Sequence, residues 1–280
     1  MKQYLLFFLL LLSLSYSTIA QQVINLPNTS ATIRCYPATS THDSIQNVAI
    51  VCPGGSYCWL GYNGEGIEVA QWLQSQGITT YVLRYRVAGW WAWATHYRLV
   101  FRGHRHPDPL NDALAAINYI DSVAKSKHET VRIGIMGFSA GGHLSMHTAL
   151  SDSRIAWAAP IYPVVSMSDR STHTRSRRGL LGDSRTGDTA LCNALSIEKT
   201  VSPNCPPVFL IACKDDPVVD YRNSILLDSA LTANNIQHKF TLYNTGGHGF
   251  GVSEKKGTAE SRQWKDGFIK WFKSLFESNN

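Results

Sequence analysis

The 280-residue chain carries 26 Lys and Arg against 20 Asp and Glu, a formal charge of +6. Its 44% apolar and 16% charged residues suit a folded globular protein and exclude a disordered or collagen-like one. No Lys/Arg block with interleaved aromatics marks a nucleic-acid surface, so no nucleic-acid partner is expected.

Lys2 is followed by an apolar run from Tyr4 to Leu12, then by "SLSYSTIA" ending at Ala20. A positive start, a short apolar core and small residues before a cut are the layout of a secretory signal peptide. The apolar core is too short to span a bilayer comfortably, and an uncleaved membrane anchor is the alternative reading. Residues 1–20 are expected to be removed on export. That leaves 21–280 as a single domain, secreted or periplasmic, with no stable membrane association. Such a length buries one large core.

The remaining chain alternates between two periodicities. Short β-branched runs at 47–52, 78–83, 131–136, 156–162, 208–213 and 239–243 read as buried strands. Helical patterns lie between them at 65–76, 108–126, 141–150, 223–234 and 260–276. The first stops at Gly77, and the second opens on Asp108-Pro109 with an apolar stripe at Leu110, Leu114, Ile117 and Ile120. This alternation predicts an α/β fold, a mostly parallel central sheet with helices on both faces. Two stretches, 86–107 and 164–204, are too long for simple connections and are expected to build a binding site or lid.

Six cysteines suit an oxidising compartment, but Cys35, Cys52, Cys58, Cys192, Cys205 and Cys213 show no CxxC and no zinc spacing. Cys192 and Cys205 flank a loop-like stretch and are candidates to pair. Cys52 and Cys213 each end a predicted strand, where buried free thiols fit equally well.

Ligands of open parallel sheets bind at the carboxyl ends of the strands. After "VRIGIM" comes Gly137-Phe138-Ser139-Ala140-Gly141, a G-x-S-x-G between strand and helix. In such a turn the serine hydroxyl stands above the sheet and the next N–H, of Ala140, faces the same space. A serine needs a base, and a histidine base needs a carboxylate to fix its tautomer. After "VFLIAC" come Asp215 and Asp216, both candidates for that carboxylate. After "KFTLY" comes His248, wrapped by Gly246, Gly247 and Gly249 on a late loop. The order Ser, Asp, His is that of α/β-hydrolases. After "NVAIVC" comes Pro53-Gly54-Gly55-Ser56-Tyr57, where the N–H of Gly55 or Ser56 would join Ala140 in holding an oxyanion.

Together "VCPGGSY", "EGIEVAQWLQSQGI", "YVLRYR", "RIGIMGFSAGGHL", "DDPVVDYRNS" and "YNTGGHGFG" resemble the secreted α/β-hydrolase esterases of the acetylxylan-esterase type, proteins of bacterial polysaccharide degradation. The likeness runs from about Val48 to Trp271, and "HTRSRRGLLGD" at 173–183 adds to it. It implies Ser139 as nucleophile, His248 as base and Asp216 as orienting acid, Asp216 standing three before Val219 in a D-x-x-V motif. Ser56 stands where that group often has a third glycine, so the resemblance favours Gly55 as donor. The Trp-rich stretch 90–93 has no recognised counterpart there.

Other residues read differently. His143 and His147 are spaced i, i+4, but neither a third ligand nor an H-E-x-x-H glutamate accompanies them, and "HRHP" at 104–107 is no better; both histidines are expected to pack, and no metal or cofactor is expected. Tyr57 and Trp59 follow the oxyanion loop and are expected to line the substrate site. Trp90, Trp91 and Trp93 are read first as core or lid packing, and otherwise as a platform for sugar rings. Arg170, Arg175, Arg177, Arg178 and Arg185 are read as a solvated or ion-paired loop, with an acidic sugar as the alternative ligand. The expected function is removal of acetyl or other short acyl groups from cell-wall carbohydrate through an acyl-enzyme. A generalist carboxylesterase, an aminopeptidase, and an inactive carbohydrate-binding homologue are the alternatives.

Overall fold

The computed structural model describes residues 22–38, 45–95 and 103–276. The expected signal segment, 1–20, lies outside them. Eight strands form one sheet: β1 (Val23–Asn25), β2 (Thr32–Tyr36), β3 (Ile45–Cys52), β4 (Thr79–Arg84), β5 (Thr130–Phe138), β6 (Ile155–Ile161), β7 (Val208–Cys213) and β8 (His238–Tyr243). Their order is β1-β2-β4-β3-β5-β6-β7-β8. The pairs from β4 to β8 are parallel, as the alternating pattern predicts. Strands β1 and β2, not among the expected ones, extend one edge through the antiparallel pairs β1–β2 and β2–β4.

Ten helices accompany the sheet in the described residues: α1 (Glu68–Ser75), α2 (Trp90–Ala94), α3 (Asp108–Ser126), α4 (Ala140–Ser151), α5 (Thr174–Leu181), α6 (Thr189–Ala194), α7 (Ile197–Thr200), α8 (Arg222–Ala233), α9 (Ala259–Arg262) and α10 (Trp264–Phe276). Helices α5, α6 and α7 fall in the long stretch 164–204 and α2 in 86–107. Both stretches therefore carry short helices rather than bare loop.

The sheet divides the core in two because successive strand side chains point to opposite faces. On β3, Val48, Ile50 and Cys52 pack with Ala116 and Ile117 of α3, Leu144 of α4 and Leu227 of α8. Ala49 and Val51 point the other way, towards Val69 and Leu73 of α1 and Trp264 and Phe268 of α10. Full burial of such side chains contributes roughly 1.5–3 kcal/mol each, which leaves little freedom for the strand ends. The chain leaves β3 for β4 on one side and then returns past β3 to β5 on the other. The carboxyl ends of β3 and β5 thus flank the point where the sheet's winding reverses, the place where open α/β sheets leave a crevice.

Candidate active site

Strand β5 runs directly into the turn that carries Ser139. Phe138 is buried below it, and Ser139 sits at φ 54°, ψ −118°, before α4 begins at Ala140. A non-glycine residue held in such a conformation costs about 1–3 kcal/mol. The surroundings hold it there: the Ser139 N–H donates to the Ile161 carbonyl of β6 (3.0 Å), and the Ser139 carbonyl accepts from Gly142 and Val164 (3.0 and 3.1 Å). Two residues on, a Cβ at Gly141 would stand 2.0 Å from the Cys52 carbonyl oxygen. Only glycine lets the first turn of α4 lie against the end of β3.

Asp216, His248 and Ser139 form one hydrogen-bonded line. His248 Nδ1–H donates to Asp216 Oδ2 at 2.6 Å, and Ser139 Oγ lies 2.9 Å from His248 Nε2. With Nδ1 protonated, Nε2 is the acceptor for the serine hydroxyl. The Asp216 side chain is 2% exposed, and its Oδ1 accepts from the Val218 and Val219 N–H groups at 2.8 and 2.9 Å. Of the two adjacent carboxylates, then, Asp216 meets the imidazole. Asp215 does something else: its two oxygens accept from the N–H groups of Gly246 and Gly247, the residues just before His248. One aspartate orients the ring and the other holds the loop that carries it.

The loop after β3 folds tightly over Ser139. The Gly55 carbonyl accepts from both Cys58 and Trp59 (2.9 and 3.0 Å), which forces Gly55 to φ +133°, and a Cβ there would meet the Trp59 carbonyl at 2.1 Å. The Gly54 N–H is committed to the Glu65 carboxylate at 2.9 Å. The N–H groups of Gly55, Ser56 and Ala140 have no acceptor among the described residues. Gly55 and Ser56 line the same cleft as Ser139.

Glu65 is a buried residue of this site that sequence reading placed only on a helix. It sits in a π-helical turn, Asn63–Ile67, that turns its side chain inward. One oxygen accepts from Gly54, the other from the Tyr162 hydroxyl at 2.8 Å, and that hydroxyl accepts from the Gly251 N–H at 3.0 Å. The Tyr162 ring lies 4.7 Å from the His248 ring. Burial pushes the Glu65 carboxyl above its usual range, against the opposing pull of Tyr162 and His248. This one carboxylate ties the oxyanion loop to the histidine loop.

The cleft over Ser139 has a volume of about 450 Å³ and is walled by Gly55, Ser56, Trp59, Arg175, His248 and Lys256, among others. A larger hollow of about 600 Å³ lies between Asn28 and helix α3 and shares none of these residues. Of the two, the cleft over Ser139 is the one that opens onto a hydrogen-bonded serine, histidine and carboxylate.

Residues 63–231 match the model of the BD-FAE family. The chain belongs to the BD-FAE family. It shares the fold of α/β-hydrolases and is similar to acetylxylan esterases. Over 208 residues, 71% of this chain, it is 31% identical to an acetylxylan esterase of Xylanibacter ruminicola, and it spans 40% of that relative's length. Its fold superposes on an acetyl ester-xyloside bifunctional hydrolase from Caldicellulosiruptor lactoaceticus with a TM-score of 0.76 and 29% identity, covering 91% of this chain and 96% of that one. An α/β-hydrolase from a deep-sea metagenome of the Medee basin shares the fold at 21% identity and a TM-score of 0.68, with 91% and 96% covered.

Around this BD-FAE core several sequence expectations need correction. Tyr57, expected to line the substrate site beside Trp59, is only 1% exposed, and its hydroxyl donates to His143 Nδ1 at 2.8 Å. The bulky ring turns under the loop because Ser56 and Tyr57 both take positive φ, 57° and 58°. His143 is indeed packed: its Nε2–H donates to the Leu195 carbonyl at 2.7 Å, and burial, then the neighbouring His147, holds its pKa down at about 3. Cys192 and Cys205 do not form a disulfide with each other. Their sulfurs meet carbonyls of Thr186 and Pro206 instead. In the arginine-rich stretch, Arg178 pairs with Asp183, Arg185 holds the carbonyls of Leu181 and His106, and Arg177 reaches the Met167 carbonyl. Arg175 differs, since it stands on the cleft. Nearby His173 was missed by sequence reading; burial, then Arg175 and His248, lowers its pKa to about 4.

Proposed function

We propose that this chain is an exported serine esterase that removes acetyl and similar short acyl groups from sugar hydroxyls of plant cell-wall polysaccharide or its oligosaccharides. The observation that carries the reading is the unbroken line Asp216–His248–Ser139 with its serine facing an open cleft. The names of two relatives, an acetylxylan esterase and an acetyl ester-xyloside hydrolase, support acetylated xylan as the substrate class. Export rests on the composition of residues 1–20.

Ser139 Oγ attacks the ester carbonyl as His248 Nε2 takes its proton. Asp216 stabilises the imidazolium that results and keeps the ring in its Nδ1–H tautomer. Negative charge on the carbonyl oxygen is met by the N–H of Ala140 and that of Gly55 or Ser56, each such donor typically supplying ~3–4 kcal/mol of transition-state stabilisation. His248 then returns the proton to the departing sugar oxygen. Water attacks the acetyl-Ser139 carbonyl by the same route in reverse, releasing acetate. No step calls for a metal or organic cofactor. Acetate release from acetylated xylan, pectin and mannan by wild-type protein and Ser139→Ala tests the proposal. Release from xylan that vanishes in the variant is expected; near wild-type release by Ser139→Ala would overturn it.

A further inference from the structure

Two cations stand on the wall of the cleft, Arg175 and Lys256. Among the described residues neither takes part in a salt bridge, although Arg178, on the same helix α5, is paired with Asp183. Among the described residues that line the cleft, Glu65 is the one carboxylate, and exposed Asp215, beside the His248 loop, is taken up by the Gly246 and Gly247 N–H groups. Glu65 is buried and occupied by Gly54 and Tyr162, and Asp216 is occupied by His248 and two backbone N–H groups. The open surface of the site is therefore positive, in a chain whose formal charge is already +6.

The position of Arg175 narrows what that charge is for. Its guanidinium carbon lies 5.8 Å from the Trp59 ring centroid and 5.9 Å from that of Trp93. The two indoles meet edge to face at 5.8 Å. Trp59 lines the cleft, and Trp93 continues through Trp90, 5.8 Å away, to rings that are 57% and 67% exposed at Trp90 and Trp91. Indole faces pack against the C–H faces of pyranose rings, and a guanidinium beside them recognises a planar or tetrahedral oxyanion on the ring's edge. The Arg175 guanidinium lies over both indoles, and a neutral acetylated sugar leaves Arg175 and Lys256 without an anionic partner.

We propose that the substrate of this site is an anionic carbohydrate chain, its sugar ring lying against the Trp59 indole on the cleft wall and its negative group, a uronate carboxylate or a sulfate ester, held by Arg175 and Lys256. The inference rests on the esterase reading above and names the substrate class within it. The cations act on binding and not on the acyl-transfer steps, so they lower KM and leave a dependence on ionic strength.

The test compares three acetylated xylo-oligosaccharides of equal length: unbranched, glucuronic-acid-branched and sulfated. Wild-type kcat/KM for an anionic member is expected to exceed that for the neutral one by about tenfold, through KM, at low salt. The ratio is expected to fall at high salt and to approach one in the Arg175→Gln/Lys256→Gln double variant. Whether the branched or the sulfated member is preferred identifies the anion. Equal kcat/KM for all three, or a preference that survives in the double variant, would overturn the proposal. Retention of Ser139→Ala on columns of the same oligosaccharides, acetylated or not, reads binding without turnover. If no member releases acetate, the esterase reading fails by itself, and equal retention on all three columns overturns the anion site independently.

Discussion

Replacing Glu65 with glutamine tests whether one buried carboxylate holds two catalytic loops together. Both of its oxygens accept: Gly54 N–H at 2.9 Å and Tyr162 O–H at 2.8 Å. The Tyr162 hydroxyl oxygen already receives Gly251 N–H at 3.0 Å. An amide keeps only one acceptor. If its oxygen stays on Gly54, its –NH₂ faces the Tyr162 hydroxyl, whose proton then has nowhere to go. If the amide is reversed, –NH₂ opposes the Gly54 N–H. In either rotamer one buried donor is left unsatisfied, at about 1–3 kcal/mol. For a domain of this size the expected fall in Tm is about 2–4 °C for each kcal/mol. The kinetic loss follows from the Gly54 neighbour: a displaced Gly55 N–H forfeits part of the ~3–4 kcal/mol of an oxyanion donor. A kcat reduced by roughly 10- to 100-fold, with KM changed far less, is the expected result on an aryl acetate. Calorimetry and steady-state kinetics on Glu65→Gln decide the matter. Wild-type Tm together with wild-type kcat would refute the reasoning, because it would mean that neither loop depends on an ionised acceptor at this position.

In Asp216→Asn, the amide oxygen is held by the Val218 and Val219 N–H groups, so –NH₂ faces His248 Nδ1 and forces the other tautomer. The kcat for aryl acetate should drop by about 10⁴ with the fold kept, as judged by circular dichroism. Asp215→Ala removes the acceptor of the Gly246 and Gly247 N–H groups and should lower kcat on the order of tenfold, well short of the neighbouring change. Acid should unfold the protein early. His143 takes up its proton at about 3 in the fold, held down by burial and by His147, but near 6.5 when unfolded. The unfolded chain thus binds more protons between those values, and stability present above pH 6.5 is lost as pH falls, by about 1.4 kcal/mol per unit from this residue. Urea midpoints from neutral pH down to about pH 5 measure this, and a flat profile would contradict it; His147 and His173, each lowered to about 4 by burial, add to the same slope.

Much of the architecture was legible because burial imposes a period. Helix α3 runs from Asp108 to Ser126, the range its apolar stripe and Asp-Pro start predict. The parallel strands are continuous β-branched runs because both of their faces are covered. What escaped lies where that constraint is weak. Strand β1 is three residues long at the sheet edge, and β2 carries Arg34 and Cys35 among its apolar positions, so neither shows a buried-strand signature. Helix α5 is rich in arginine and looks like loop. Ser139, Asp216 and His248 stood out because each follows a strand in a small-residue setting, and the structure brings the three side chains within hydrogen-bonding distance. Glu65 did not, since it was read as one polar residue of an amphipathic helix. Its flanking by Gly64 and Gly66, which widens the turn, was the one available hint. Tyr57 misled for the opposite reason: nearness in sequence to the oxyanion loop says nothing about which side of the loop a ring takes.

Ser139 and His248 are 109 residues apart in sequence, and their meeting depends on β5 and β8, which lie at distant positions of the same sheet. The turn that carries Ser139 is assembled from near neighbours, but His248 reaches it only when β8 has paired with β7 and the loop beyond is held by Asp215. Recovered ester turnover in a refolded sample therefore reports that β5 through β8 are paired in register, which helical signal alone does not.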